Sequence, residues 1–424
     1  MKNKLGFLLR AHALAAAVFA LSTWSAPVVH AADAPPIKIG LGMALTGGLA
    51  GNGKAALLGF QLWAEDVNAH GGILGRKVEL IYYDDQSNPS TVPGIYSKLL
   101  DIDKVELVFS GYATNQIAPA MPILMERGMV VMSLFALSLN DKFNYPYYFD
   151  IQPTGPGGKV ELARGFFEAA LAQNPKPQTV AIVYADAEFA KTAAEGARAI
   201  VSQLGLKVVY DKSYPPTMTD YTPVVRAMQA TNPDIVWVGS YPPDSAGLIR
   251  AVNEVGLKAK MFGGAMVGLQ FASLKTQLGP LLNGVVFFDY YVPEPTLSFP
   301  GIEEFVKKYQ ARAGAAGVDP LGFYLPPFAY AEGQILAQAA QAVGSLDQKK
   351  MGEYIRANTF KTIVGDIKFH ANGEWATPRV LQVQYQNIKD NSLDQFKKPG
   401  IQVIVYPDSV KSGQLLYPYS DIKR

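Results

Sequence analysis

Apolar and polar positions along the chain follow two periods in alternation. At residues 37–43 (IKIGLGM) Ile37, Ile39 and Leu41 recur at every second position, which is the strand period. A glycine-rich loop, ALTGGLAGNGK, comes next. Leu57, Phe60, Ala64 and Val67 then fall at i, i+3, i+7 and i+10, one face of a helix that stops at Gly71-Gly72. The same strand-then-helix unit returns: residues 78–85 (VELIYYDD) read as a strand, 92–101 as a helix, and 105–111 (VELVFSG) as a strand. A helix over 115–126 closed by Gly128 and a strand at 129–133 (MVVMS) follow. Such alternation predicts a parallel sheet covered on both faces, with ligands bound outside the carboxyl ends of its strands.

A second series opens at 179–186 (TVAIVYAD). It continues through a helix at 188–204, strand LKVVYD, a helix at 222–231, strand DIVWVGS, a helix at 245–255 stopped by Gly256, and strands at 260–264 and 284–291. Proline-marked segments at 152–157 and 292–300 lie between the series and read as crossovers. Beyond Pro300 three helical stretches carry no strand series of their own and are assigned to the first lobe. TIVGDIKFHANGEW reads as a third crossing near 368–376, and RVLQVQYQNI with IQVIVYP as strands of the second lobe. The expected fold is α/β, with two doubly wound, Rossmann-like lobes joined by three crossovers. Lobe 1 comprises 37–152 and 298–368, and lobe 2 comprises 153–292 and 376–424.

Candidate chemistry sharpens this picture. A glycine loop at a helix N-terminus leaves N–H groups free, a place for an anion. Gly48-x4-Gly53-Lys54 approaches a nucleotide-binding loop, but the next residue is Ala55 where the metal-binding hydroxyl should stand. A small carboxylate is therefore the better expectation, with a structural turn as the alternative. At the N-terminus Lys2, Lys4 and Arg10 precede LAAAVFALSTW, and Val29-His30-Ala31 carries small residues for a signal peptidase. This predicts a secretion signal over 1–31, cut after Ala31, and a protein released to the periplasm.

The chain contains no cysteine, which excludes a lipid-bearing cysteine, a disulfide framework and thiolate chemistry. A formal net charge of +2 with interspersed signs argues against a nucleic-acid partner. Past the signal only His70 and His370 remain, and there is no GxSxG, so nucleophilic catalysis lacks its usual parts. Neither an enzyme nor a cofactor is expected.

The opening IKIGLGMALTGGLAGNG, the stretch VNAHGGILGRKVELIYYDD, the strand-loop FSGYATNQIAPAM, the block VGSYPPDSAGLIRAVNEVGLKAKMFGG and VGDIKFHANGEW together resemble the type I periplasmic binding proteins. The nearer likeness is to the leucine/isoleucine/valine-binding protein family of ABC importers, over nearly the whole mature chain. The resemblance implies a monomeric Venus-flytrap receptor that closes on a small solute and presents it to an ABC permease in the inner membrane.

Carried over by position, the resemblance places the ligand's carboxylate on Tyr112, Ala113 and Thr114, Thr114 serving otherwise as a helix cap. It also implies a ligand contact at Tyr241, with Phe189 in place of another tyrosine and Asn52 in place of an aromatic. The family's ammonium-binding threonine and glutamate fall on Leu137 and Ala265. An ammonium buried without partners is costly, so an ordinary α-amino acid is disfavoured unless Glu254 or Asp289 supplies the charge. Tyr112, Phe135, Phe189, Tyr241, Phe262 and Met266 lie near predicted strand ends, and aromatic walls around one carboxylate anchor suit a hydrophobic or aromatic acid. The alternatives are a receptor for branched-chain or other hydrophobic amino acids, and a ligand-sensing regulator of the amide-sensor type.

Overall fold

The computed structural model describes residues 34–424; the signal read at 1–31 lies outside them. The first sheet is built from β1 (Ile37–Met43), β2 (Val78–Asp84), β3 (Leu107–Tyr112), β4 (Val131–Leu134) and β5 (Tyr148–Asp150). All its pairings are parallel, in the order β2-β1-β3-β4-β5. Side chains alternate between its faces as the strand period requires. Leu107 and Phe109 join the core beneath helix Ala50–Ala69, while Val108 joins a separate core with Tyr96 and Leu99 of helix Val92–Asp101.

Several local features differ from the sequence reading, among them helices Gly158–Leu171 and Ala272–Leu278, which it did not place. The three-residue β5 is too short for a period to reveal it. The helix expected at 115–126 is broken into Thr114–Ile117, a 3-10 turn at Ala118–Ala120 and Met121–Glu126. Pro119 and Pro122 lack the N–H groups that a continuous ladder needs.

The second sheet takes β6 (Thr179–Ala185), β7 (Lys207–Tyr214), β8 (Ile235–Ser240), β9 (Met261–Met266) and β10 (Val286–Asp289). After a separate hairpin, β11 (Thr359–Thr362) with β12 (Gly365–Lys368), the strands β13 (Leu381–Tyr385) and β14 (Gln402–Tyr406) complete it. Its order is β14-β13-β10-β9-β8-β6-β7, parallel from β7 to β10 and antiparallel at β13 and β14. In β9, Gly263 has φ +144°, and a Cβ there would lie 1.7 Å from the Val286 carbonyl oxygen of β10. Only glycine fits where those two strands approach.

Helices Ile302–Ala316 and Pro326–Val343 pack on helix Ala50–Ala69, so this late part of the chain rests on the body of the first sheet. The chain thus runs between the two sheets three times, through residues 151–178, 290–301 and 369–380. Among the described residues no helix is long and apolar enough to cross a membrane.

Candidate functional site

Each sheet has one point where strand order reverses, and there the loops leaving adjacent parallel strands diverge to open a crevice. In the first sheet this lies between β1 and β3; in the second it lies between β6 and β8. Tyr112 ends β3, and Ala113 and Thr114 follow it. Phe189 begins the helix after β6, and Tyr241 caps the helix after β8. Residues from both points meet around one void, lined by Tyr112, Ala113 and Phe135 on one side and Phe189, Tyr241 and Val267 on the other. Gln152, just past β5, and Tyr324, just before helix Pro326–Val343, complete the wall.

The void offers about 10 Å³ to the centre of a water-sized sphere, room for a single water. Rings account for its tightness. Phe189 meets Tyr241 edge-on at 5.9 Å, and Phe135 packs edge-on against Tyr324 at 5.4 Å, Tyr290 at 5.0 Å and Phe328 at 5.2 Å. Tyr324 lies nearly parallel to Tyr290, with ring centres 6.1 Å apart. Burial pushes the Tyr112 phenol well above its ordinary pKa, while the neighbouring Tyr324 and Asn52 side chains pull the other way. Tyr241 is raised by burial in the same manner.

Two wall residues hold backbone conformations rare for side-chain-bearing residues: Ala113 at φ 78° and Phe135 at φ 67°. Such strain persists only where surrounding contacts impose it, and it gathers at ligand sites. For Phe135 the constraint is Asp150. Its carboxylate accepts the N–H groups of Phe135 at 3.2 Å, Ala136 at 3.1 Å and Gln152 at 3.1 Å, so one buried acid sets two segments of the wall.

The remaining nominated residues lie off this wall. Thr114 is buried one step behind Ala113, and its Oγ1 has no partner among the described residues. Gln116 and Ile117 donate to the Ala113 carbonyl, which leaves the first two N–H groups of this helix outside the intrahelical ladder. Asn52 is buried, with Nδ2 unpartnered among the described residues. Leu137, Ala265 and Met266 are buried but do not line the void; Val267, one residue beyond β9, does so instead. Phe262 belongs to the core, where it packs on Tyr419 at 5.3 Å. Neither acid considered for an ammonium reaches the wall: Glu254 is exposed, and the buried Asp289 feels the charge of Lys275.

At the start of the glycine loop the N–H groups are taken by the chain's own Asp84. That carboxylate accepts from Leu45 N at 2.9 Å, Thr46 N at 3.1 Å and Thr46 Oγ1 at 2.6 Å. Partial burial works to raise the Asp84 pKa, but these hydrogen bonds outweigh it and hold the group below its ordinary range. The loop is a built-in structural turn, and Gly53 within it passes so near Ala44 that a Cβ would lie 2.0 Å from the carbonyl oxygen.

Residues 36–390 match the family model described as periplasmic binding protein. The chain belongs to the periplasmic binding protein family. Its architecture is the two-lobed, type I form of that family, and its relatives are named as solute-binding proteins, not enzymes. The Leu/Ile/Val-binding protein homolog 2 of Brucella abortus is 25% identical over 365 residues, 85% of this chain and 94% of the relative. Among solved structures, the branched-chain amino acid binding protein LivJ of Streptococcus pneumoniae, in complex with isoleucine, superposes with a TM-score of 0.68 at 19% identity, covering 84% of this chain and 97% of that one. An ABC transporter solute-binding protein of R. palustris in complex with benzoate gives 0.71 at 18% identity, over 90% and 100%. At these identities the two structures speak for the fold alone.

Proposed function

We propose that this protein is the periplasmic receptor of an ABC importer, exported through a cleaved signal, which captures a hydrophobic or aromatic acid between its lobes and delivers it to a membrane permease. The observation that carries this reading is the composition of the wall: seven of its eight side chains are apolar or aromatic, counting its tyrosines, the eighth is Gln152, and none is acidic. An amino acid's ammonium, drawn out of water, would meet no counter-charge there, a penalty of several kcal/mol that a deaminated acid escapes. The ligand's carboxylate goes to the Ala113–Thr114 turn, where a buried hydroxyl and free helix N–H groups await an acceptor. Rings at Tyr112, Phe135, Phe189 and Tyr241 cover the apolar part, at about 25 cal/mol for each Å² removed from water.

The names of the relatives favour a second reading, a receptor for branched-chain amino acids. Ring burial serves leucine and its deaminated analogue alike, so only the ammonium separates the two readings. Calorimetry with matched pairs, such as phenylpropanoate with phenylalanine and 4-methylpentanoate with leucine, decides between them. Tighter binding of the acid in each pair supports the proposal. Binding of the free amino acid with none of its partner acid establishes the second reading.

A further inference from the structure

Gln152 is the one wall residue whose side chain ends in an amide. It is 2% exposed, and it stands where the chain leaves the first sheet for the second. Its Nε2 is committed, donating to the Tyr290 hydroxyl at 2.5 Å, and its backbone N–H is committed to Asp150. Its Oε1 is buried with no partner among the described residues. Tyr290 is itself fixed by Phe135 and Tyr324 on either side, so the amide is held in one orientation with its acceptor left over.

We infer that Gln152 is a specificity-determining residue, and that the solute it selects carries a neutral hydrogen-bond donor on its apolar part: a hydroxylated aromatic acid. This rests on the reading of the site as a receptor for aromatic acids. An amide oxygen accepts and never donates, so a bare ring pressed against it leaves a buried acceptor unsatisfied, whereas a phenolic hydroxyl satisfies it. A neutral amide does not balance an ammonium, which keeps the assignment apart from an amino-acid site. Sites built around a buried polar group reject the analogue that lacks its partner more strongly than apolar pockets reject a missing methylene.

The unmodified exported protein is titrated by calorimetry with benzoate, the three monohydroxybenzoates and 4-methoxybenzoate, which accepts but cannot donate. At least one hydroxybenzoate is expected to bind about tenfold more tightly than benzoate, and 4-methoxybenzoate more weakly than both. Gln152→Met, which keeps side-chain length, is expected to erase that tenfold preference, bringing benzoate and the hydroxybenzoate to similar affinity. Equal binding of benzoate and all hydroxybenzoates overturns the inference and leaves the aromatic-acid reading standing. A preference for the methoxy acid also overturns it, since the amide nitrogen then faces the solute. Binding of amino acids with no binding of any benzoate overturns both. Tyr290→Phe removes one oxygen and frees the amide to turn; it is expected to narrow the gap between hydroxy and methoxy acids, and an unchanged gap would contradict the fixed orientation.

Discussion

The Asp319 carboxylate accepts the backbone N–H of Ala272 at 2.7 Å, linking a loop between two helices of the first lobe to the opening turn of a helix on the second. The same carboxylate accepts from Gly322 N at 2.9 Å, which holds the loop that carries Tyr324 into the cleft wall. A hinge motion that separates the two lobes would break this bond. Loss of a helix cap costs about 1 kcal/mol. Asp319→Ala is therefore expected to weaken ligand binding by roughly fivefold, mainly through faster release, as the lobes part more readily. Stopped-flow kinetics with calorimetry tests this. An unaltered release rate would mean that the loop and the helix do not separate.

Thr114→Ala probes the carboxylate anchor. A hydrogen bond to a charged group contributes about 1.5–3 kcal/mol, so affinity is expected to fall by roughly ten- to a hundredfold. The ester or amide of the same ligand should bind worse than the acid in the unmodified protein and lose little further in the variant. Full affinity in the variant would leave Thr114 as a helix residue only.

Ala113→Gly addresses the strain in the wall. A φ of 78° at a residue with a Cβ costs on the order of 1–3 kcal/mol, and glycine adopts it without that cost, giving back part of the gain as unfolded-state entropy. A net stabilisation of about 1 kcal/mol is expected in chemical denaturation. A loss of stability would show that the Ala113 methyl packs more favourably than its backbone is strained.

Much of this fold can be read from periodicity, because the parallel parts of the two sheets produce two runs of strand–helix alternation and place cleft-lining residues near strand ends. Tyr112, Phe189 and Tyr241 stand at such ends. Tyr324 does not, since it sits in a connecting segment placed by Asp319 and Ala272, and Gln152 follows β5, a strand too short for its period to show, with its amide placed by Tyr290. No local pattern marks them. The glycine loop misleads for a related reason. Its free N–H groups invite an external anion by sequence, but strand pairing sets Asp84 of β2 beside Met43 of β1, within reach of Leu45 and Thr46. At the end of β9 the side chain that reaches the void is Val267, beyond both nominated residues, because the void lies past the end of the ladder at Met266.

Stability should rise as the solution is acidified from pH 7.5 to about 6. Burial raises the pKa of Asp150 to about 7, against the opposing hydrogen bonds from Gln152, Ala136 and Phe135. Burial also holds Glu374 and Glu332 well above the ordinary carboxyl range, and the charge of Asp150 adds to both; Asp141 acts on Glu374 in the same sense, with Thr154 opposing. Both carboxylate oxygens of Glu374 and of Glu332 lack partners among the described residues. A carboxyl whose folded pKa exceeds its unfolded value binds more protons when folded, so stability is lost as pH climbs from the unfolded pKa of roughly 4 through the folded one, and regained on descent. Asp85 and Asp244, both raised to about 6 by burial, act in the same direction. Asp84 and Asp234, held below their ordinary range, lose their contribution only below about pH 4 and do not oppose the trend in this window. Thermal denaturation is expected to show Tm higher by about 2 °C or more at pH 6 than at pH 7.5. Glu374→Gln, which removes one of these ionisable groups and keeps the shape, should raise Tm at pH 7.5 and flatten the slope. A Tm that falls on acidification, or a slope that the variant leaves unchanged, would show that these acids are not the groups that govern stability near neutrality.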